Sequence, residues 1–189
     1  MCIRDRKKLI DIIPLGSIST HILEGISEGI EKNFPYHSRI LPPIEEPNYA
    51  YFPIRNQYHS TKILKELSKM VKSDTIKVLA ITKLDLYIPI LTYVFGEAQL
   101  GGRCAVVSFY RLQPPDKSSY PSTILQKRIV KVAIHELGHT FNLTHCKNNC
   151  VMKRSYNLKD IDKTSSSFCY YCNILLSDEV KKLNKGLIK

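Results

Sequence analysis

His135-Glu136-Leu137-Gly138-His139-Thr140-Phe141-Asn142-Leu143-Thr144-His145-Cys146 decides how the rest of the chain is read. On a helix, residues four apart lie about 40° apart around the axis, so His135 and His139 present their imidazoles in the same direction. Two ligands of one Zn²⁺ need that disposition, with each ring nitrogen about 2.0–2.1 Å from the metal. Glu136 is turned about 100° from His135, within reach of a reacting water but away from the ligand direction, and so suits a general base. A third imidazole, His145, comes six residues after His139. It can meet the same metal only if the chain leaves the helix sharply. The residue at that turn is Asn142, and Asn is the non-glycine side chain that best tolerates the left-handed region. A His-Glu-x-x-His match alone should arise in on the order of 1% of chains of this size, and His145 makes coincidence ~30-fold rarer. The triple therefore outweighs the bland reading, an amphipathic helix with two solvent-facing histidines.

A second constellation follows directly. Cys146-x3-Cys150 and Cys169-x2-Cys172 offer four thiolates at knuckle-like spacing, as a closed tetrahedral structural zinc site requires. Such a site would clamp the stretch 147–168, which reads as irregular and polar. Reduced thiol pairs, or disulfides in an exported protein, are the alternatives at this point. Cys146 directly follows His145, so the two sites would share a stretch of chain. Met152, two residues past Cys150, is expected to pack beneath the three histidines without ligating. Two zincs per chain, one catalytic and one structural, are the cofactor expectation. Paired cysteines beside a histidine cluster suit a reducing compartment, so a cytoplasmic location is expected.

Composition narrows the classes further. The chain has 189 residues and is 43% hydrophobic, enough for one domain with a real core. No apolar run reaches the ~18 to 20 residues that span a bilayer, so no membrane partner is expected. The formal charge is +11. Lys and Arg are spread along the chain rather than gathered, which reads as a solvated surface; no specific nucleic-acid partner is expected, and a monomer is. Met1-Cys2-Ile3-Arg4-Asp5-Arg6 spells the translation of a transposase adapter used in DNA library preparation. Residues 1–6 are therefore expected to be a sequencing scar, with the peptidase-like domain over 7–189. An independently cloned gene retaining these codons would overturn that expectation.

The remaining pattern alternates strands and helices. Lys8 to Pro14 reads as a strand, Thr20 to Asn33 as a helix burying Ile22, Leu23, Ile26 and Ile30, and His37 to Leu41 as a strand. Glu45 to Gln57, with Pro47 and Pro53, reads as a loop. Ser60 opens a helix carrying Ile63, Leu64, Leu67 and Val71, followed by a buried strand over Lys77 to Thr82. Two short apolar stretches lie within Asp85 to Leu100. Gly101-Gly102 forms a turn, Cys104 to Phe109 a strand, and Leu112 to Ser122 a polar loop. The motif helix runs from about Ser122 to Phe141, and a last helix from about Ile174 to Leu183. The expected class is α/β: a compact single domain with a twisted mixed sheet, helices packed on it, and an irregular C-terminal subdomain clamped by zinc.

The motif residues, continued through Cys150-Val151-Met152 and Phe168-Cys169-Tyr170-Tyr171-Cys172, resemble the archaemetzincin signature. The resemblance extends upstream to Arg55 through Thr61, to Asp85-Leu86-Tyr87, and above all to Phe95-Gly96-Glu97-Ala98-Gln99-Leu100-Gly101-Gly102, covering about Leu9 to Cys172. Three departures stand out: Asn142 replaces the usual Gly, the Cys146–Cys150 spacing is one residue shorter than usual, and so is the Met152–Cys169 gap. The resemblance implies a metzincin-type fold and zinc-dependent hydrolysis of peptide bonds, with an aminopeptidase-like mode among the possibilities. It makes Met152 the Met-turn residue. It also places Phe95, Gly96, Glu97 and Ala98 along a substrate cleft, where the plainer reading is a structural turn. A catalytically inactive relative and a zinc-stabilised binding module remain open as alternatives.

Overall fold

The computed structural model describes residues 8–113 and 123–186. The expected scar at 1–6 and most of the expected 112–122 loop lie outside the described residues. The five-stranded sheet consists of β1 (Leu9–Leu15), β2 (His37–Ile40), β5 (Thr75–Thr82), β7 (Gly96–Ala98) and β8 (Cys104–Ser108). Its order is β2-β1-β5-β8-β7; the first four are parallel, and β7 runs antiparallel to β8 along one edge. The helices are α1 (Thr20–Asn33), α2 (Ser60–Leu67), α3 (Thr123–Thr140), α4 (Leu158–Lys163) and α5 (Tyr170–Asn184).

The period-two alternation of side chains sorts the sheet's two faces. Ile10, Ile12, Leu79, Ile81, Ala105 and Val107 pack on one face with α1, α3 and α5. Ile13, Leu15, Val78, Ala80, Cys104 and Val106 pack on the other with α2. Every residue of β5 is buried, as a central strand covered on both faces must be. The expected α/β class with a mixed sheet is thus the observed one. At the far edge, β2 is pinned by Arg39, which forks onto Asp11 at 2.8 and 3.1 Å and reaches Asp74 at 3.0 Å. Asp11 and Asp74 belong to neighbouring elements, so this cation staples the edge strand to the sheet.

Several sequence expectations need correction. Glu45 to Gln57 is not plain loop: β3 (Tyr51–Phe52) and β4 (Gln57–His59) form a second sheet with β6 (Leu86–Tyr87). Pro53 sits in the hairpin turn, where its missing N–H is harmless, while the paired residues flank it. Val71 lies beyond the end of α2. The 147–168 tail contains α4, whose N-cap Asn157 accepts from the Asp160 N–H at 3.0 Å. Asn followed three residues later by Asp, ahead of Ile161, is a start signal readable in the sequence. The last helix begins at Tyr170, four residues earlier than expected, with Cys169 as its N-cap.

Candidate metal centres and cleft

Helix α3 buries Leu125, Ile129, Ala133 and Leu137 against the sheet and presents His135 and His139 one turn apart. Its end explains how His145 returns. The Asn142 N–H donates to His139 O at 2.9 Å and the Leu143 N–H to Gly138 O at 3.1 Å. These are the paired bonds of a Schellman cap, which needs a left-handed residue after the helix. Asn142 supplies it with φ of 62°. The substitution for the usual Gly therefore preserves the turn. His139 O also accepts from the Gly101 N–H at 2.9 Å, tying the glycine turn to the helix end. Buried Lys77 reinforces that junction by donating to Gly102 O at 2.7 Å and Thr140 O at 2.6 Å. Nothing in the sequence reading singled out Lys77; its only signal was a lysine inside an otherwise apolar strand.

The three imidazoles converge, with one ring nitrogen from each within 4.8 Å of the others. His135 Nδ1 lies 2.8 Å from Val151 O, and His139 Nδ1 lies 2.7 Å from Leu143 O. A carbonyl only accepts, so both Nδ1 atoms carry the proton and both Nε2 atoms carry a bare lone pair. Those two Nε2 atoms face each other at 3.1 Å. Two lone pairs aimed at one point repel unless a cation lies between them, and two ligands of a tetrahedral zinc stand about 3.3 Å apart. The donor set thus fits Zn²⁺. Burial first, then the charge of His139, hold His135 down to about 4, which favours the neutral form a metal needs. His145 is also lowered, by burial, His139 and then the nearby charge of Arg154.

Glu136 packs against Gly96 of β7 and lines the same cleft as the three histidines. Burial, and then the Glu97 charge, push its carboxyl up to about 8. Gly96 makes room for it: a Cβ there would stand 2.7 Å from Glu136 Cγ and 2.8 Å from Val106 O. Gly138 plays the same part on the opposite side of the helix, where an added Cβ would collide with Met152 Sδ. Met152 is fully buried, its Sδ packed against Gly138 of α3. Sequence reasoning treated Gly138 as a free position of the motif; only packing reveals its constraint.

The four cysteines also meet, their sulfurs all within 4.8 Å of one another. Cys146 Sγ and Cys169 Sγ are 3.7 Å apart, close to the ~3.8 Å separating two thiolates on one tetrahedral zinc. Backbone N–H groups point at the sulfurs, from Cys169 to Cys150 at 3.2 Å and from Asn148 to Cys146 at 3.4 Å, as thiolates require. The shortened spacings therefore still close a four-sulfur cluster. Between the two clusters, the Cys146 N–H donates to Met152 O at 2.9 Å.

A cleft of about 540 Å³ runs past the histidines. Phe95, Gly96, Glu97 and Ala98 all line it, on and beside the edge strand β7. Glu97 is held by hydroxyls, Ser60 at 2.5 Å and Thr61 at 2.8 Å. The opposite wall is made by α3 and the segment after Met152, including Lys131, Arg154 and Ile161.

An edge strand, a helix bearing two histidines, and a third histidine delivered by a left-handed turn define a zinc metallopeptidase. The family model for peptidase family M54 matches residues 27–178, and the chain belongs to that family. The archaemetzincin of Archaeoglobus fulgidus is 40% identical over 163 residues, covering 86% of this chain and 95% of that protein. The archaemetzincin of Methanopyrus kandleri is 44% identical over 137 residues, 72% of this chain and 75% of the relative. The crystal structure of the latter superposes with a TM-score of 0.82 at 33% identity, covering 96% of this chain and 99% of that one. A zinc-dependent peptidase from Methanocorpusculum labreanum gives 0.80 at 28% identity over 88% and 99%. Among the described residues no helix is long and apolar enough to cross a membrane.

Proposed function

We propose that His135, His139 and His145 hold the catalytic zinc and that Glu136 is the general base of peptide hydrolysis. The observation that carries this reading is the pair of facing Nε2 lone pairs, with both Nδ1 protons fixed on backbone carbonyls. When bound there, Zn²⁺ supplies the Lewis acidity that activates water and polarises the scissile carbonyl. The protein's own groups do the rest. Glu136 removes a proton from the attacking water and passes it to the leaving amine, a transfer favoured by a carboxyl poised near neutrality. The exposed edge of β7 offers backbone N–H and C=O groups to an extended peptide, with Phe95 and Ala98 flanking it. Glu136→Gln tests the assignment. Zinc content should be unchanged while turnover drops by at least 10²-fold; near-wild-type hydrolysis would sink the role.

Cys146, Cys150, Cys169 and Cys172 hold a second, structural zinc on this reading, and the chain acts as a monomer in a reducing compartment such as the cytoplasm. Native mass spectrometry should find two zincs in a single-chain mass, falling to one in His139→Ala. One zinc in wild type, or a dimer, contradicts it. An aminopeptidase-like mode is favoured by one observation: Glu97, on β7, lines the cleft with a carboxylate. A substrate ammonium would then bind Glu97, and acetylating the peptide N-terminus should lower kcat/KM in wild type but not in Glu97→Gln. Equal losses in both would refute it.

A further inference from the structure

The two walls of the cleft differ in charge. The β7 side carries Glu97, already held by Ser60 and Thr61. The opposite wall carries two cations, Lys131 from α3 and Arg154 from the segment after Met152. Lys131 is fixed, its ammonium donating to Ile161 O at 2.8 Å and Asp162 O at 2.9 Å. Arg154 is different. Its guanidinium carbon lies 5.5 Å from the centre of the Tyr156 ring, and Nη1 reaches the Tyr156 hydroxyl at 3.4 Å. Among the described residues it makes no ion pair, whereas Arg39, Arg111 and Arg128 each fork onto a carboxylate.

The backbone places this unpaired cation in the cleft that the histidines line. Lys153 N–H donates to Cys150 O at 2.9 Å and Cys146 N–H to Met152 O, so the turn under the site carries Arg154 out to the cleft rim. Arg154 and His145 line the same cleft. A planar guanidinium with free donors, braced against an aromatic ring, matches a carboxylate bidentately.

We infer that Arg154 selects substrates by receiving a carboxylate beside the scissile bond, either an Asp or Glu side chain or the free C-terminus of a short peptide. This rests on the peptidase reading above. Arg154 contributes to recognition rather than to the chemical step, so neutral peptides are still cleaved.

The test uses the zinc-loaded full chain and two pentapeptide libraries randomised except at one position, fixed as Glu or as Gln, each made as C-terminal acid and amide. Wild type should cleave the Glu series or the acid series about five-fold more efficiently than its neutral counterpart, the upper end for an exposed pair, and less so at high salt. Preference for Glu over Gln identifies a side-chain carboxylate; preference for acid over amide identifies the C-terminus. Arg154→Gln should abolish the preference while retaining cleavage of the Gln amides, and Arg154→Lys should keep part of it. Equal cleavage of all series by wild type, or a preference that survives Arg154→Gln, overturns the inference and leaves the peptidase reading standing. Cleavage of none overturns both.

Discussion

Gly96→Ala is the sharpest perturbation of the proposed catalytic geometry, because it displaces Glu136 without replacing it. The new methyl would sit 2.7 Å from Glu136 Cγ, 3.0 Å from its Cδ and 2.8 Å from Val106 O. Carbon atoms pack comfortably at about 3.5–4.0 Å, so the glutamate has to give way by roughly 1 Å. Val106 O cannot move to help, since it belongs to β8, which is hydrogen-bonded on both sides. Crowding of this kind costs about 1–3 kcal/mol of stability, which a folded domain can absorb. A displacement of ~1 Å in the general base is more serious and is expected to lower kcat by on the order of 10²-fold. The assay compares kcat on a neutral fluorogenic peptide with zinc content and thermal melting. Zinc at the three histidines should stay at the wild-type level, because Gly96 touches none of them. If Gly96→Ala keeps kcat within three-fold of wild type, Glu136 is not held by this contact and the positioning argument fails. Loss of zinc together with activity would show instead that the whole site had collapsed.

Three further outcomes follow from particular contacts. Asn142→Gly should be neutral or stabilising by up to about 1 kcal/mol, since glycine adopts the left-handed φ without penalty, while Asn142→Val should destabilise by about 1–2 kcal/mol, as read by denaturant melts; a stable Val variant would mean the turn is not left-handed in solution. Burial first, then the Arg103 charge, lower Lys77 from 10.5 to about 8, so between pH 8 and 10.5 the unfolded chain holds a proton that the folded chain lacks. Stability contributed at Lys77 therefore rises as pH climbs through that window, by up to about 3 kcal/mol, and is lowest below pH 8, where both states are charged. The stability difference between wild type and Lys77→Met should grow in favour of wild type from pH 8 to 10.5; a flat difference refutes the buried-amine account. Gly138→Ala should drive Met152 from beneath the histidines, lowering both zinc affinity and melting temperature, and unchanged values for both would contradict the packing shown.

The three-histidine and four-cysteine clusters and the helix carrying two of the histidines were legible because metal coordination demands particular atoms at particular periods. The same holds for the alternating faces of β1, β5 and β8. Less legible were features set by proximity between distant segments. Gly96 read only as part of a cleft or turn segment and Gly138 as an unspecified motif position, yet each is small because another side chain occupies the space. Lys77 read only as the start of a buried strand, yet it joins the glycine turn to the end of α3 by donating to Gly102 O and Thr140 O. Strands β3, β4 and β6 are two or three residues long, too short for any periodicity to register.

The arrangement of the tail gives the four cysteines a role beyond holding loose chain. His135 is oriented by Val151 O, and Met152 fills the floor against Gly138. Both residues lie between Cys150 and Cys169, and the Val151 N–H is itself held by Ser167 O at 3.0 Å. The segment that orients the His135 imidazole is thus flanked at both ends by cysteines of the second cluster. Without that anchor, a stretch with few apolar residues of its own has little to offset its conformational entropy. Cys172→Ser, a change in α5 within the cysteine cluster, should therefore weaken zinc binding at the three histidines as well as at the cysteines. An unaffected three-histidine site in that variant would show that the two centres are neighbours in sequence only.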